Sequence, residues 1–203
     1  MATLLLAGTG VVSEIGALVM AAGWAGFAAI LVIGRRGAAQ GAARRDLKST
    51  AGFLLQSVAY LVCLAFPRRY FSPLFPAWPA TEPLLASAGI ALTLASVWFC
   101  FAAARALGRQ WALLARLIDG HQLVRQGPYA MVRNPIYLAM LGMLLSTGVA
   151  VSRWQVIPMA LALFAAGTII RIRTEENLLR AAFGVEFDDY VRAVPAFLPR
   201  RWR

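Results

Sequence analysis

The chain has 203 residues, of which 60% are hydrophobic and 14% are charged. Soluble domains average about 25% charged residues, so this composition excludes an ordinary soluble protein and indicates a lipid environment. The formal net charge of +11 would suit a nucleic-acid-binding protein, but the basic residues flank apolar blocks, where charge orients membrane helices. Nucleic acid is therefore not an expected partner.

Five uncharged stretches predict transmembrane helices, because each is close to the roughly 17–25 residues that cross a bilayer core. Alternation of apolar and polar residues with period two is absent, which disfavours strands. The sequence predicts an all-α, polytopic membrane bundle that forms a single domain over residues 1–203. We expect a three-helix part at 1–110 and a functional part at 111–203. The five stretches, in chain order, are 15–34, 49–67, 83–104, 134–152 and 154–170.

The distribution of Lys and Arg predicts how the helices are oriented. The segments 35–48, 105–133 and 171–203 hold 17 of these residues, whereas the connections on the opposite side hold three. By the positive-inside rule the N-terminus lies outside and the C-terminus is cytoplasmic. The 68–83 connection has four prolines and four aromatic residues, which predicts an irregular interfacial loop on the outer side.

The last two stretches and the tail indicate how the cytoplasmic segments come together. Only Arg153 separates the fourth stretch from the fifth, which predicts a tight helical hairpin. The tail predicts a short amphipathic helix after Gly184, a residue suited to ending the preceding helix. Its apolar residues fall at positions i, i+3, i+4 and i+7, namely Phe187, Tyr190, Val191 and Val194.

Metal chemistry is not expected. The chain has two cysteines, Cys63 and Cys100, and one histidine, His121, with no CxxC motif. Zinc and iron sites need several such ligands in close spacing, and both cysteines fall in apolar stretches, where a buried free thiol is the ordinary state. No glycine-rich nucleotide motif occurs either, so a Rossmann-type domain is not expected.

Two segments beside the predicted hairpin concentrate polar side chains. The first, residues 121–137, offers an imidazole, a phenol at Tyr129, a guanidinium at Arg133 and a carboxamide at Asn134. Such a set could hold a polar ligand with charges of both signs, although a plain membrane-surface loop has a similar composition. In the second segment, residues 171–199, Glu175 and Glu176 point about 100° apart on a helix. One could face inward to bind an ammonium group, or both could be solvated partners of arginine.

The same residues resemble the isoprenylcysteine carboxyl methyltransferases and phospholipid methyltransferases of membranes. The family pattern, close to HxLVxxGPYxxxRHPxY, is followed by two spans and a tail of the form EExxL…FGxEFxxY…VPxFxP. The first part matches here at His121, Leu123, Val124, Gly127–Tyr129, Arg133, Pro135 and Tyr137. The tail matches at Glu175, Glu176, Leu179, Phe183, Gly184, Glu186, Phe187, Tyr190, Val194, Pro195, Phe197 and Pro199. The match covers roughly the last 85 residues of the chain.

The resemblance implies a cytoplasmic pocket for S-adenosylmethionine that is built without a Rossmann fold. Asn134 departs from the pattern, since the family often has histidine there, and an amide cannot act as a general base. Residues implied in cofactor binding are His121, Leu123, Val124, Gly127, Tyr129, Asn134, Tyr137 and Glu175. Residues implied in catalysis are Arg133, Arg173 and Glu176, and Arg133 together with the stretch Arg171–Glu176 is implied in orienting the acceptor.

The function implied is methyl transfer to a lipid or small hydrophobic acceptor, or to a prenylcysteine-type carboxylate by analogy with the family. Membrane lipids are expected partners, and the Ala- and Arg-rich composition suggests a bacterial inner membrane. A membrane reductase of the sterol-reductase type, using NADPH, is the alternative enzyme. A non-enzymatic membrane scaffold that kept the fold is the other alternative.

Overall fold

The structure is a computed structural model that describes residues 2–37, 47–68, 72–108 and 122–197. At the ends of the first two helices, in 2–13, 34–37 and 47–48, only the backbone is described. The described residues form no strand, and one isolated bridge joins Pro67 to Ser152, so the all-α prediction is confirmed for them. The helices are α1 (Ala2–Gly37), α2 (Leu47–Ala65), α3 (Glu82–Leu107), α4 (Pro135–Val151), α5 (Ile157–Phe183) and α6 (Val185–Ala193).

Each predicted stretch lies on one of the first five helices, apart from at most three residues at an end, but membrane-spanning length is clear for only three of these helices. Within the described residues, the segments Glu14–Ile33, Pro79–Leu107 and Trp154–Phe183 are long and apolar enough to cross a bilayer. The helical segments Ser49–Ala65 and Pro135–Val151 are apolar but shorter. An integral membrane protein is therefore supported, while five crossings stay a prediction.

The fifth helix is longer than the sequence predicted. The uncharged stretch ends at residue 170, yet α5 continues to Phe183, where Gly184 with φ +52° ends it. Charge ends a hydropathy signal but does not end a helix, and the segment after 170 is rich in Arg, Glu and Leu, which favour helix. This extension carries Glu175 and Glu176 on a regular helix.

The sequence predicted that α4 and α5 form a tight hairpin, and this is wrong, because the two helices do not pack mainly against each other. Although the connection is short, α5 packs mainly along α2, and α4 packs mainly along α3, which also packs against α1. Gly52 and Gly167 explain the first pairing. A Cβ on Gly167 would lie 2.6 Å from the carbonyl oxygen of Gly52, so only glycine allows these two backbones to approach so closely.

The core joins these pairs and includes both cysteines. Cys63 packs with Leu144 of α4 and Phe164 of α5, and Cys100 packs with Phe27 and Met143. Both thiols are free and buried, as the sequence predicted.

The described parts of the connection between α2 and α3, residues 66–68 and 72–81, are irregular apart from the 3-10 turn Pro79–Thr81, and an ion pair links Arg68 to Glu82. Arg68 Nη2 donates to Glu82 Oε1 at 2.9 Å, and the backbone N–H of Leu74 donates to Glu82 Oε2 at 2.8 Å. The rings of Phe75 and Trp154 lie 6.2 Å apart. The loop is thereby fixed at the end of the bundle where α4 turns into α5.

Candidate functional site

The described loop before α4, residues 122–134, turns inward at Gly127. Gly127 has φ +62°, a conformation that side chains larger than hydrogen disfavour, and Pro128 follows in the first turn of a 3-10 helix, Gly127–Ala130. This turn carries Tyr129 into the interior, where it is 8% exposed. Burial raises the pKa of Tyr129 well above its ordinary value, so its phenol stays protonated at neutral pH.

Arg133 fastens this loop to α5. Its Nε and Nη2 both donate to Glu176 Oε1, at 3.0 and 2.7 Å. The two side chains keep only 10% and 19% of their surface exposed, so the pair is largely removed from water. Shielded, charge-assisted hydrogen bonds of this kind are stronger than those of solvated pairs.

The tail folds back over the same loop. The backbone N–H of Arg133 donates to Pro195 O at 2.9 Å, and its Nη1 donates to Val194 O. The side-chain amide of Asn134 donates to Ala196 O at 2.9 Å. Arg133 and Asn134 thus hold the strand-like segment after α6 through its carbonyl groups.

A second group of contacts docks α6 itself. Tyr190 is buried and donates its hydroxyl to Tyr129 O at 2.7 Å, and burial raises the pKa of Tyr190 to about 12. At the rim, Arg125 Nη2 lies 3.0 Å from the exposed carboxylate of Glu186. The amphipathic stripe of the tail therefore faces the loop, with Phe187 and Tyr190 buried as the sequence predicted.

Glu175 points to different partners from those of Glu176. The phenol of Tyr137 donates a short hydrogen bond to Glu175 Oε1, and Arg171 Nη2 lies 3.7 Å from the same oxygen. The Arg171 guanidinium also stands 4.9 Å above the Tyr137 ring. Both carboxylates are therefore turned into the structure, and only Glu175 faces the inner cluster of Tyr137 and Arg171.

This inner cluster continues into the interface between α2 and α5. Gln56 Oε1 accepts a hydrogen bond from Arg171 Nη1 at 3.0 Å, and Gln56 Nε2 donates to Thr168 Oγ1 at 2.8 Å. Gln56 is 1% exposed and Arg171 is 4% exposed. A line of polar groups therefore runs from Glu175 into the centre of the apolar bundle.

The structure gathers most of the residues singled out from the sequence at one end of the bundle. Leu123 and Val124 are half-buried on the approach to the turn, and Gly127 is exposed at its start. Arg173 lies on an exposed side of α5, about 200° around the helix from Arg171. It is therefore separate from the residues that the structure brings together. His121 lies outside the described residues. The residues brought together are Tyr129, Arg133, Asn134, Tyr137, Glu175 and Glu176.

Three participants were not singled out as site residues. Gln56 and Thr168 lay inside stretches that were interpreted only as spans, and Tyr190 was assigned only to the apolar stripe of the tail. A signal existed for Gln56, because it is the one amide in the 49–67 stretch and polar groups within a membrane usually have a specific partner.

The arrangement can bind a small ligand with a cationic group. The half-buried carboxylate of Glu175 attracts positive charge, and its contacts with the Tyr137 phenol and the Arg171 guanidinium fix the position of this carboxylate. Among the described residues no group of three or more His, Cys, Asp or Glu side chains is arranged to hold a metal ion. The Glu175 carboxylate and the Tyr137 phenol are groups that can bind an organic cation or transfer a proton.

Comparisons with known proteins bear on the family of this chain. The phospholipid methyltransferase family matches residues 85–186, which include α4, the loop before it and α5. The chain is 35% identical over 129 residues to the cobalt-zinc-cadmium resistance protein CzcN of Cupriavidus metallidurans, covering 61% of this chain and 54% of that protein. It is 36% identical over 97 residues to the nickel-cobalt-cadmium resistance protein NccN of Alcaligenes xylosoxydans xylosoxydans, covering 46% and 44%.

The chain spans about half the length of these curated relatives. The family match covers half of the chain and contains the Arg133–Glu176 pair and the Glu175 cluster. The chain belongs to the phospholipid methyltransferase family.

Proposed function

We propose that this membrane methyltransferase transfers a methyl group from S-adenosylmethionine to a lipophilic acceptor. The observation that carries the proposal is the half-buried Glu175 carboxylate, which contacts Tyr137 and Arg171 and lies near enough to Tyr129 to interact with it electrostatically. The family match supports methyl transfer, and the cluster supports a cofactor with a positive charge.

The donor set fits S-adenosylmethionine, which carries a sulfonium, an ammonium and a carboxylate group. Glu175 offers the negative charge that the ammonium group requires. The turn at Gly127–Ala130 offers backbone groups and the Tyr129 ring, which suit the rest of a polar, partly aromatic molecule. The cofactor supplies an already activated methyl group, so the placement of the acceptor contributes much of the rate.

Arg133 and Glu176 act in this proposal as positioning residues. The Arg133 guanidinium is engaged by Glu176 and by tail carbonyl groups, so it holds the loop and tail against α5. Asn134 has a similar task through Ala196. The proposal also includes cofactor contacts by His121, Leu123, Val124 and Gly127, and an acceptor contact by Arg173.

The apolar outer faces of the bundle support a lipophilic acceptor. The helices present large apolar side chains on their outer faces, including Leu61, Leu94 and Ile169, so an acceptor dissolved in the bilayer can approach the bundle from the side. We propose a lipid or a small hydrophobic molecule, with the cofactor entering from the cytoplasm. The names of the relatives refer to metal resistance; for this chain the family and the cluster both favour methyl transfer as its chemistry.

Calorimetric titration of the detergent-purified protein with S-adenosylmethionine tests the cofactor. We expect binding by the parent and loss of about tenfold in affinity for Glu175→Gln, because the change removes one charge-assisted contact of about 1.5 kcal/mol. Glu186→Gln is the matched control, since Glu186 pairs with Arg125 at the exposed rim. Binding of NADPH without binding of S-adenosylmethionine would overturn the proposal in favour of a reductase.

The acceptor is tested by incubating the protein with methyl-labelled cofactor and a membrane lipid extract, followed by identification of the labelled product. We expect label in an organic-soluble product with the parent, and less label with Glu175→Gln when the cofactor concentration is below saturation. Label that appears only in water-soluble material would contradict a lipophilic acceptor.

A further inference from the structure

Gln56 lies in the middle of α2 and is not part of the family pattern, which covers residues 121–137 and 175–199. It is 1% exposed and belongs to a helix that precedes the matched residues 85–186. Its two polar atoms are both used, one toward Arg171 and one toward Thr168. A buried glutamine between two membrane helices can serve as simple adhesion between them, or it can fix the group that it contacts.

The chemistry of the partners determines which way the Gln56 amide points. A guanidinium only donates hydrogen bonds, so the amide oxygen must face Arg171 and the amide nitrogen must face Thr168. The observed contacts, 3.0 Å to Arg171 Nη1 and 2.8 Å to Thr168 Oγ1, have this arrangement. Arg171 therefore sets the orientation of the amide, which presents its oxygen to the guanidinium, and the Thr168 hydroxyl accepts the remaining amide N–H.

Arg171 connects Gln56 to Glu175. Nη1 of its guanidinium donates to Gln56, and Nη2 lies 3.7 Å from the Glu175 carboxylate. The planar group lies between aromatic rings, 4.9 Å from the centre of Tyr137 and 5.8 Å from that of Phe53. At 3.7 Å the contact with Glu175 is longer than a hydrogen bond, so it depends on other contacts to hold the guanidinium in place.

We infer that Gln56 is a positioning residue of the proposed cofactor site, which acts by holding Arg171 at the distance at which it orients Glu175. Thr168 and Glu175 are seven residues apart on α5, about 10 Å along the helix, so the site is supported from a deeper level of the bundle. The inference rests on the proposed function. It assigns to α2 a part in cofactor binding.

The experiment compares Gln56→Met with Thr168→Val, two changes that preserve side-chain size. Gln56→Met removes the acceptor of Arg171 and the bond to Thr168, whereas Thr168→Val removes only the latter. We expect Gln56→Met to weaken S-adenosylmethionine binding about fivefold to tenfold in calorimetry, because a hydrogen bond to a charged group is lost. Thr168→Val should weaken binding less than about threefold, since the acceptor stays within reach of Arg171.

Thermal unfolding of the same variants in detergent separates positioning from adhesion. If Gln56 only holds the helices together, both variants lower Tm by similar amounts and bind the cofactor as the parent does once folded; that result would overturn the inference. In steady-state assays we expect Gln56→Met to raise the KM for the cofactor more than it lowers kcat. Gln56→Glu provides a further check, because its side chain again offers oxygen acceptors to Arg171, and cofactor affinity should recover in part.

The failure of this inference is distinguishable from that of the proposed function. If the parent protein does not bind S-adenosylmethionine, the proposed function fails. If the parent binds and Gln56→Met binds equally well, only the role of Gln56 fails.

Discussion

Arg133 and Glu176 join the loop before α4 to the C-terminal part of α5 through two hydrogen bonds to one carboxylate oxygen. The same guanidinium donates to the carbonyl groups of Val191 and Val194. One side chain therefore holds three segments that are distant in sequence. Because the pair is mostly buried, removal of either partner leaves a charge with poor solvation.

Loss of Arg133 should therefore destabilise the fold and release the tail. We expect Arg133→Ala to cost about 3 kcal/mol, as is typical for breaking a buried ion pair, and Glu176→Gln to cost somewhat less because its amide still accepts a hydrogen bond. Thermal unfolding in detergent measures both. Arg125→Ala is the control, since its ion pair is half-exposed and should contribute under about 1 kcal/mol; equal costs for Arg133→Ala and Arg125→Ala would contradict this prediction.

Asn134 should act on the tail through a single contact. Its amide donates to Ala196 O, so Asn134→Ala removes one hydrogen bond of about 1 kcal/mol. Hydrogen–deuterium exchange should then be faster in residues 185–197 and unchanged in α3. Asp189→Ala breaks only the exposed contact with Arg192 and should leave the exchange of the tail as in the parent. Unchanged exchange in Asn134→Ala would show that the other tail contacts suffice.

The positions of the helices were predictable because the signal is local. Uncharged stretches of membrane length, Gly184 as a helix end and the apolar stripe around Phe187 and Tyr190 each depend on neighbouring residues in the sequence. The pairing of the helices was not predictable in this way. The short turn at Arg153 suggested that α4 and α5 pack together, whereas the close approach of Gly52 and Gly167 joins α5 to α2, a match between residues more than 100 positions apart.

The residues of the site show the same difference between local sequence signals and long-range packing. The motif residues around Tyr129, Arg133 and Glu175 could be found from the sequence because their spacing resembles a known pattern. The partners that fix them could not, because Gln56 contacts Arg171 only through the packing of α2 on α5. Arg173 shows the converse: the resemblance implied a role for it, but helix geometry turns it to an exposed side of α5. Spacing along a chain identifies chemical groups, whereas packing decides which of them meet.

The close approach at Gly52 should be sensitive to one added methyl group. A Cβ at this position would lie 2.6 Å from Arg171 Cγ and 2.7 Å from Gly167 O. Gly52→Ala must therefore push α2 from α5 and displace Arg171, with a cost of about 1–3 kcal/mol for overpacking and weaker cofactor binding. Gly26→Ala is the control, because its Cβ would meet Val97 at an ordinary 3.5 Å. Similar Tm and affinity in both variants would refute the proposed role of this contact.

The proposed orientation predicts which surfaces are reached from each side of the membrane. Cys63 and Cys100 are buried, so a cysteine introduced at an exposed position should dominate labelling by a membrane-impermeant maleimide. Ala80 lies in the loop before α3 and Ala182 near the end of α5, and both are exposed. With 17 of the 20 basic residues assigned to the cytoplasmic side, Ala80→Cys should be labelled in right-side-out vesicles and Ala182→Cys in inverted ones. The parent protein gives the background, and the reverse pattern would place the Glu175 cluster on the outer side, away from a cytoplasmic supply of cofactor.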